Sequence, residues 1–207
     1  MVVGLYRDHV LPRLVDRACG TADLARWRAH VTAGLSGRVV EIGFGSGLNM
    51  PAYPRGVALV YAVEPADTAR RLAVRRIADA QIPVKHVSLH GESIDLDDAS
   101  CDGALSTFTL CTIPDVERAL AEIRRVLRPG GRFHFLEHGL SPDPRIARWQ
   151  QRIEPAQKLF AGGCHLTRRP DELVASAGFV MERVESRYGV GPKPWSWMTE
   201  GAAVAPG

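Results

Sequence analysis

The stretch VVEIGFGSGLN, Val39–Asn49, decides how the rest of the chain is read. An apolar, β-branched run reaches Glu41, and Gly43, Gly45 and Gly47 follow within five residues. A strand therefore delivers the chain to a tight turn, and a helix is expected to leave it. Glycine lets the backbone approach a ligand with no Cβ in the way. A dinucleotide fingerprint spaces its glycines G-x-G-x-x-G and aims a helix N-terminus at pyrophosphate. Here the third glycine comes one residue sooner, and an acid sits just before the turn. Glu41 would repel a pyrophosphate. It suits a cationic ligand, such as an amino group or a sulfonium with an amino-acid tail.

A second acid, Glu64, ends the next apolar run in YAVEP, Tyr61–Pro65. A carboxylate at that point can accept both hydroxyls of a ribose, as in α/β nucleotide sites. That contact alone serves NAD and S-adenosylmethionine equally. Glu41, the early third glycine and Glu64 together favour the second.

Outward from the turn, short apolar runs alternate with longer amphipathic ones, the pattern of an α/β fold with a mainly parallel sheet. GRVVEI, ALVYAV, VKHVSL, DGALST and RFHFLEH read as five strands in that order. Helices are predicted for the first thirty-odd residues, which form two, with Thr21 capping the second. DTARRLAVRRIADA and PDVERALAEIRRVL read as helices too. In the latter, Val116, Ala119, Leu120, Ile123, Val126 and Leu127 make one apolar face. Pro114 is expected in its first turn, and PGG stops it. DPRIARWQQRIEPAQKLF and RRPDELVASAG read as two more helices. FVMERVESRY alternates as a half-exposed strand and pairs with TEGAAVAP through GVGPKPWSW.

Composition narrows the partners. The chain has 207 residues, 45% hydrophobic and 24% charged, with a net charge of +3. That suits one domain with one core and gives no electrostatic case for a nucleic-acid partner. Cys19, Cys101, Cys111 and Cys164 are widely spaced, with no C-x-x-C pair. This fits a reducing cytoplasm better than a disulfide framework or a zinc site. No apolar run reaches the ~20 residues of a membrane span, and Met1–Arg17 is not a signal peptide. The sequence carries no signal for an oligomeric state.

Four blocks in order resemble the class I S-adenosylmethionine-dependent methyltransferases, from about Gly37 to Gly178: VVEIGFGSGLN, VEP, HGESIDLDDASCDGALS and IRRVLRPGGRFHFLEH. The resemblance implies a Rossmann-like sandwich with helices on both faces of one sheet. Its strands run in the order 3-2-1-4-5-7-6, the seventh antiparallel, which suits the terminal pair of strands seen here. It implies one methyltransferase domain over 1–207: N-terminal helices at 1–35, a cofactor core at 37–138, and substrate-side helices with a terminal hairpin at 139–207. It places Glu41, Gly43, Gly45, Gly47 and Asn49 about the methionine end and Glu64 and Pro65 at the ribose. Glu92 and Ser93 border the adenine. Thr107–Leu110 floor the site near the transferred methyl.

A narrower likeness covers the last third. Leu110-Cys111, Glu137-His138, Trp149-Gln150-Gln151 and Gly163-Cys164-His165-Leu166-Thr167-Arg168 are similar to runs in methyltransferase-like proteins that methylate small alkyl thiols. The mammalian members begin with a hydrophobic membrane-targeting segment. Met1–Arg17 is not one, so stable insertion in a membrane is not expected. The resemblance implies methyl transfer to a small, fairly apolar acceptor, with thiol sulfur favoured. A quinol ring or a phospholipid amine is the rival acceptor. A NAD-binding oxidoreductase and a non-catalytic cofactor sensor are rivals of other classes.

A thiol must lose its proton to attack, so His138 is the first candidate base and His165 the second; ionisation in solution is the third route. His134, in mid-strand, reads as structural. Cys164 and His165 are adjacent, and adjacent side chains rarely point at one metal; no further Cys/His cluster stands nearby in sequence, so no metal is expected. Cys111 reads as pocket wall. Trp195 and Trp197 are candidates for a lid over the acceptor, or for packing on the sheet edge. The arginines of ARRLAVRRIADA and IRRVLR are expected on solvated faces.

Overall fold

The computed structural model describes residues 6–88 and 91–207. One seven-stranded sheet runs in the order β3-β2-β1-β4-β5-β7-β6. Its strands are β1 (Gly37–Ile42), β2 (Val57–Val63), β3 (Val84–Ser88), β4 (Cys101–Thr107), β5 (Leu127–His138), β6 (Val180–Tyr188) and β7 (Trp197–Val204). The first five are parallel, and β7 is antiparallel to both β5 and β6. The helices are α1 (Leu11–Cys19), α2 (Ala22–Thr32), α3 (Asp67–Ala80), α4 (Val116–Val126), α5 (Pro144–Phe160), α6 (Pro170–Ser176) and the single turn α7 (Lys193–Ser196). Leu89, the last residue of the expected third strand, and residues 1–5 of the N-terminal segment lie outside the described residues.

Alternation along the strands sends neighbours to opposite faces. Val40, Ala104 and Phe133 pack with Leu120 and Ile123 of α4 and Val174 of α6. Val39, Leu105 and Leu136 pack with Trp27 and Val31 of α2 and Ala73 of α3. The sheet is thus covered by helices on both sides, and its central parallel strands β1 and β4 are mostly buried and apolar. Gly201 of β7 lies opposite Phe135 of β5, where a Cβ would sit 2.5 Å from the ring.

Four expectations need correction. No α-helix leaves the glycine turn; a single 3₁₀ turn, Met50–Ala52, does, because Pro51 and Pro54 break the run before β2. Pro114 precedes the cap of α4 rather than sitting in its first turn, since the Asp115 carboxylate accepts from Arg118 N–H at 3.0 Å. β5 starts at Leu127, ahead of the PGG, and 128–131 bulge out between the pairs Cys101↔Leu127 and Gly103↔Arg132. β7 starts at Trp197, earlier than the expected TEGAAVAP, because it pairs along both β5 and β6.

Candidate active site

The carboxyl ends of β1, β2 and β4 open onto a cavity of about 380 Å³, inside the ~300–1,000 Å³ range of small-molecule sites. Leu11 and Val15 of α1, and Gly162 after α5, complete its wall. Gly43, Gly45 and Gly47 all take positive φ, at 70°, 58° and 75°, a region that favours glycine. A Cβ on Gly43 would lie 2.0 Å from Thr109 Oγ1. Gly45 faces the cavity, and a Cβ there would meet only the Gly43 carbonyl, at 3.7 Å. Gly47 does not line the cavity; it packs on Ala73, Met50 and Phe44 and serves the turn itself.

Glu64 sits beside the turn. Its Oε2 accepts from Gly45 N–H and its Oε1 from Ala66 N–H, each at 2.8 Å. Both oxygens retain a lone pair for a hydroxyl. Burial raises its pKa above the ordinary carboxylate value, against the two N–H donors. Pro65 and Glu92 also line the cavity, whereas Ser93 is exposed and does not.

Glu41 is fully buried and stands one step behind the wall. Its oxygens accept from Asn49 Nδ2 at 2.7 Å and from Tyr53 O–H at 2.5 Å. Burial lifts its pKa to about 7, against those two donors and Arg28. Glu41 therefore acts on the cavity through Asn49 rather than meeting a ligand directly, which corrects the sequence-based picture. Asn49 and Thr107 do line the cavity. Between them stands Arg28, a residue the sequence reading missed. Arg28 Nη1 donates to Asn49 Oδ1 at 2.8 Å and Thr107 Oγ1 at 2.9 Å. Its Nε is buried with no hydrogen-bond partner among the described residues. The sequence did hold a signal: Arg28 falls on the helical stripe of Leu24, Trp27 and Val31 rather than on the solvent face.

The wall thus offers a fixed cation with a spare donor, a bare backbone turn and a carboxylate beside β2. These groups match the carboxylate, the amino-acid backbone and the ribose of an adenosylated amino acid.

The predicted bases lie elsewhere. His138 Nε2 is 3.0 Å from Cys164 Sγ, which is 3.6 Å from Cys111 Sγ. These three residues sit behind the cavity wall rather than in it. The hydrogen bond between the two sulfurs, together with His138, draws the Cys164 thiol down, and that same bond and burial push Cys111 up. Burial pulls His138 down, but Cys164 and Glu137 outweigh it and leave the imidazole above its ordinary value. The sequence-based ground for expecting no metal, that no second Cys/His group stands near Cys164, is overturned by this cluster. His165 turns to Glu154, with Nδ1 3.3 Å from Oε1. His134 is structural, as read: its Nδ1 is 2.6 Å from the Val31 carbonyl.

Other side chains also depart from expectation. Trp195 donates to Gln157 Oε1 at 3.2 Å and Trp197 packs edge-on against Tyr188, so neither forms a lid on the cavity. Gln150 of the W-Q-Q run is buried and bonds Ser141 N–H, the Gly139 carbonyl and the Pro194 carbonyl. Arg76 and Arg125, assigned to solvated faces, reach Ser46 and the Ile94 and Leu96 carbonyls, because the surface loops around α3 and α4 leave carbonyls to satisfy.

A sheet of this order, with a ligand cavity at its glycine turn, defines a class I methyltransferase fold. A family model described as a methyltransferase domain matches residues 40–135. The chain is 31% identical over 170 residues to the thiol S-methyltransferase TMT1B of Rattus norvegicus, spanning 80% of this chain and 68% of that protein. It is 35% identical over 153 residues to the thiol S-methyltransferase TMT1A of Homo sapiens, spanning 71% and 62%. Geranyl diphosphate methyltransferase, solved in complex with S-adenosylmethionine, shares the fold with a TM-score of 0.67 at 16% identity, over 87% of this chain and 84% of that one. The chain belongs to the class I S-adenosylmethionine-dependent methyltransferase family, and S-adenosylmethionine is its cofactor.

Proposed function

We propose that this methyltransferase acts on the sulfur of a small, fairly apolar thiol, as one domain spanning 1–207. The observation that carries the reading is the apolar part of the cavity lining. Leu11, Val15, Phe108 and Ile113 belong to that lining, which suits an alkyl chain on the sulfur and disfavours an acceptor with a charged head group beyond it. The likeness to thiol S-methyltransferases supports the same choice.

When bound, S-adenosylmethionine supplies a methyl group activated by a sulfonium. Arg28 holds the methionine carboxylate through its spare donor, with Asn49 and Glu41 fixing the guanidinium in place. Gly43 and Gly45 let the backbone run beside the amino-acid end, while Gly47 shapes the turn. Glu64 and Pro65 receive the ribose, and Glu92 with neighbouring Ser93 the adenine. Thr107 and Phe108 set the floor on which the acceptor sulfur lines up with the methyl carbon. Orientation of that kind is worth up to ~7–11 kcal/mol in favourable systems.

His138 and His165 are engaged with Cys164 and Glu154, so the thiol enters already ionised rather than losing its proton to either. A free thiol has a pKa of ~8.5, which leaves a few per cent of thiolate at neutral pH. The acceptor is a small molecule rather than a nucleic acid. The four free cysteines favour the reducing cytoplasm as the compartment. Assays with an alkyl thiol, a demethylquinol and phosphatidylethanolamine vesicles test the reading. Turnover of the thiol is expected, rising with pH along that thiol's own titration. Turnover of the quinol or the lipid, with none of any thiol, would overturn it.

A further inference from the structure

Three of the short runs picked out in the sequence each deliver one sulfur or nitrogen to a single point. Cys111 comes from the loop after β4, His138 from the last residue of β5, and Cys164 from the loop after α5. Their ligand atoms all lie within 4.8 Å of one another. We propose that these three side chains form a binding site for a zinc(II) ion, and that the ion ties the cavity's 161–168 wall segment to the carboxyl end of the sheet. The inference does not depend on which acceptor the enzyme uses.

Geometry is the main argument. Zinc takes sulfur at ~2.3 Å and imidazole nitrogen at ~2.0 Å in a tetrahedral array, which puts two sulfurs ~3.8 Å apart and a sulfur and a nitrogen ~3.5 Å apart. The Cys111 and Cys164 sulfurs stand 3.6 Å apart and the His138 Nε2 to Cys164 Sγ distance is 3.0 Å. The sulfur pair is already at the required span, and the imidazole needs to withdraw by about half an ångström. A disulfide needs a sulfur separation of ~2.05 Å, so the same pair would have to close much further for that.

The donor chemistry selects the ion. Thiolates favour zinc, copper(I) and iron–sulfur clusters over hard cations. Two thiolates and a neutral imidazole cancel the charge of zinc(II), whereas copper(I) would leave a net negative charge in a buried place. A set of two cysteines and one histidine is also that of zinc sites that keep a fourth position for an outside ligand.

The supporting shell is in place. The Cys111 carbonyl accepts from His165 N–H at 2.8 Å, which pins the loop of one cysteine to that of the other. The Arg168 guanidinium donates to the Leu110 carbonyl and, at 2.9 Å, to the Ile113 carbonyl, bracing the residues on both sides of Cys111. Glu137 Oε1 accepts from Thr109 and Leu110 N–H at 2.9 and 3.0 Å and holds the same loop from below. His138 Nδ1 is buried with no hydrogen-bond partner among the described residues, so the ring is held through Nε2 by Cys164 alone and can turn to meet an ion. Gly162, two residues before Cys164, lines the cavity, which is how an ion here reaches the binding site.

The test uses the 207-residue chain, purified under reducing conditions, with metal content measured and cobalt(II) added to the metal-stripped protein. One zinc per chain is expected, and cobalt(II) should give the intense visible bands of a tetrahedral thiolate site together with a sulfur-to-metal charge-transfer band. C111S, C164S and H138A should each weaken binding beyond the ~10–100-fold that losing a mere outer partner costs. C101S, which changes a buried cysteine elsewhere, should keep it. If the ligand variants fail to fold, the wild-type thermal midpoint with zinc and with chelator decides, and zinc should raise it. A stripped chain that takes up neither zinc nor cobalt(II) and melts alike with zinc and with chelator would overturn the proposal. So would undiminished binding in folded C111S and C164S. S-adenosylhomocysteine binding and thiol turnover are read separately, so a failed acceptor assignment would not mimic a failed metal site.

Discussion

Gly43 shows how much one hydrogen atom can decide. Its φ of 70° already favours glycine, and Thr109 leaves no room for a Cβ. G43A should cost about 1–3 kcal/mol in urea unfolding, and G43A/T109A should recover the part due to the clash. An equal loss in both variants would show that backbone strain alone sets the requirement. Glu41 makes a second prediction, in pH. Its folded pKa of about 7 lies above the ordinary 4.5, with burial the main cause. Below the unfolded value both states are protonated and burial carries no penalty. As pH rises through 7 the native carboxyl must ionise in an apolar place, and the stability present at low pH is lost. The full loss is on the order of 3 kcal/mol. Unfolding free energies at pH 4.5 and 8 should therefore differ less in E41Q than in the wild type by about that amount. An unchanged difference would remove Glu41 as the cause. Both residues stood out before the fold was known, because an acid and glycines at that spacing have few other uses, but Glu41 was read as meeting the ligand and instead stands behind Asn49. Arg28 was not read, although its place on an apolar stripe was there to see.

At the scale of elements, periodicity located α3 to the residue and α5 to within one, its Asp143 proving to be the cap, since both present long amphipathic runs with clear stops. It misplaced the start of β5 and β7 because a strand's length depends on what it pairs with. Gln150 illustrates what no element shows on its own. It sits on α5 yet satisfies backbone groups after β5 and in α7, so it joins three elements. Removing one partner leaves a buried group unpaired at ~1–3 kcal/mol. Q150A should accordingly lower the unfolding free energy by a few kcal/mol, on the order of 3, and raise proteolysis between α5 and β7. A loss below 1 kcal/mol would mean that water replaces the amide at all three groups.

For the whole molecule, ligand binding and folding are linked, since the cavity draws on β1, β2, β4, α1 and the loop after α5 together. A ligand held at 100 times its Kd stabilises the fold by ~2.7 kcal/mol. S-adenosylhomocysteine at that level should raise Tm by roughly 5–10 °C for a chain of this size. NAD should raise it little, and the reverse order would contradict the family assignment. The sequence by itself determined the strands of the sheet and the kind of ligand, and its resemblance to the family supplied their order. Alternating apolar runs encode strands and helices locally, and a glycine turn carries its ligand preference within a few residues. Tertiary structure alone decided that Glu41 stands behind Asn49, that Arg28 faces inward, and that Cys111, His138 and Cys164 meet. Those facts rest on contacts between segments tens of residues apart, and no local pattern records which side chains a fold will bring face to face.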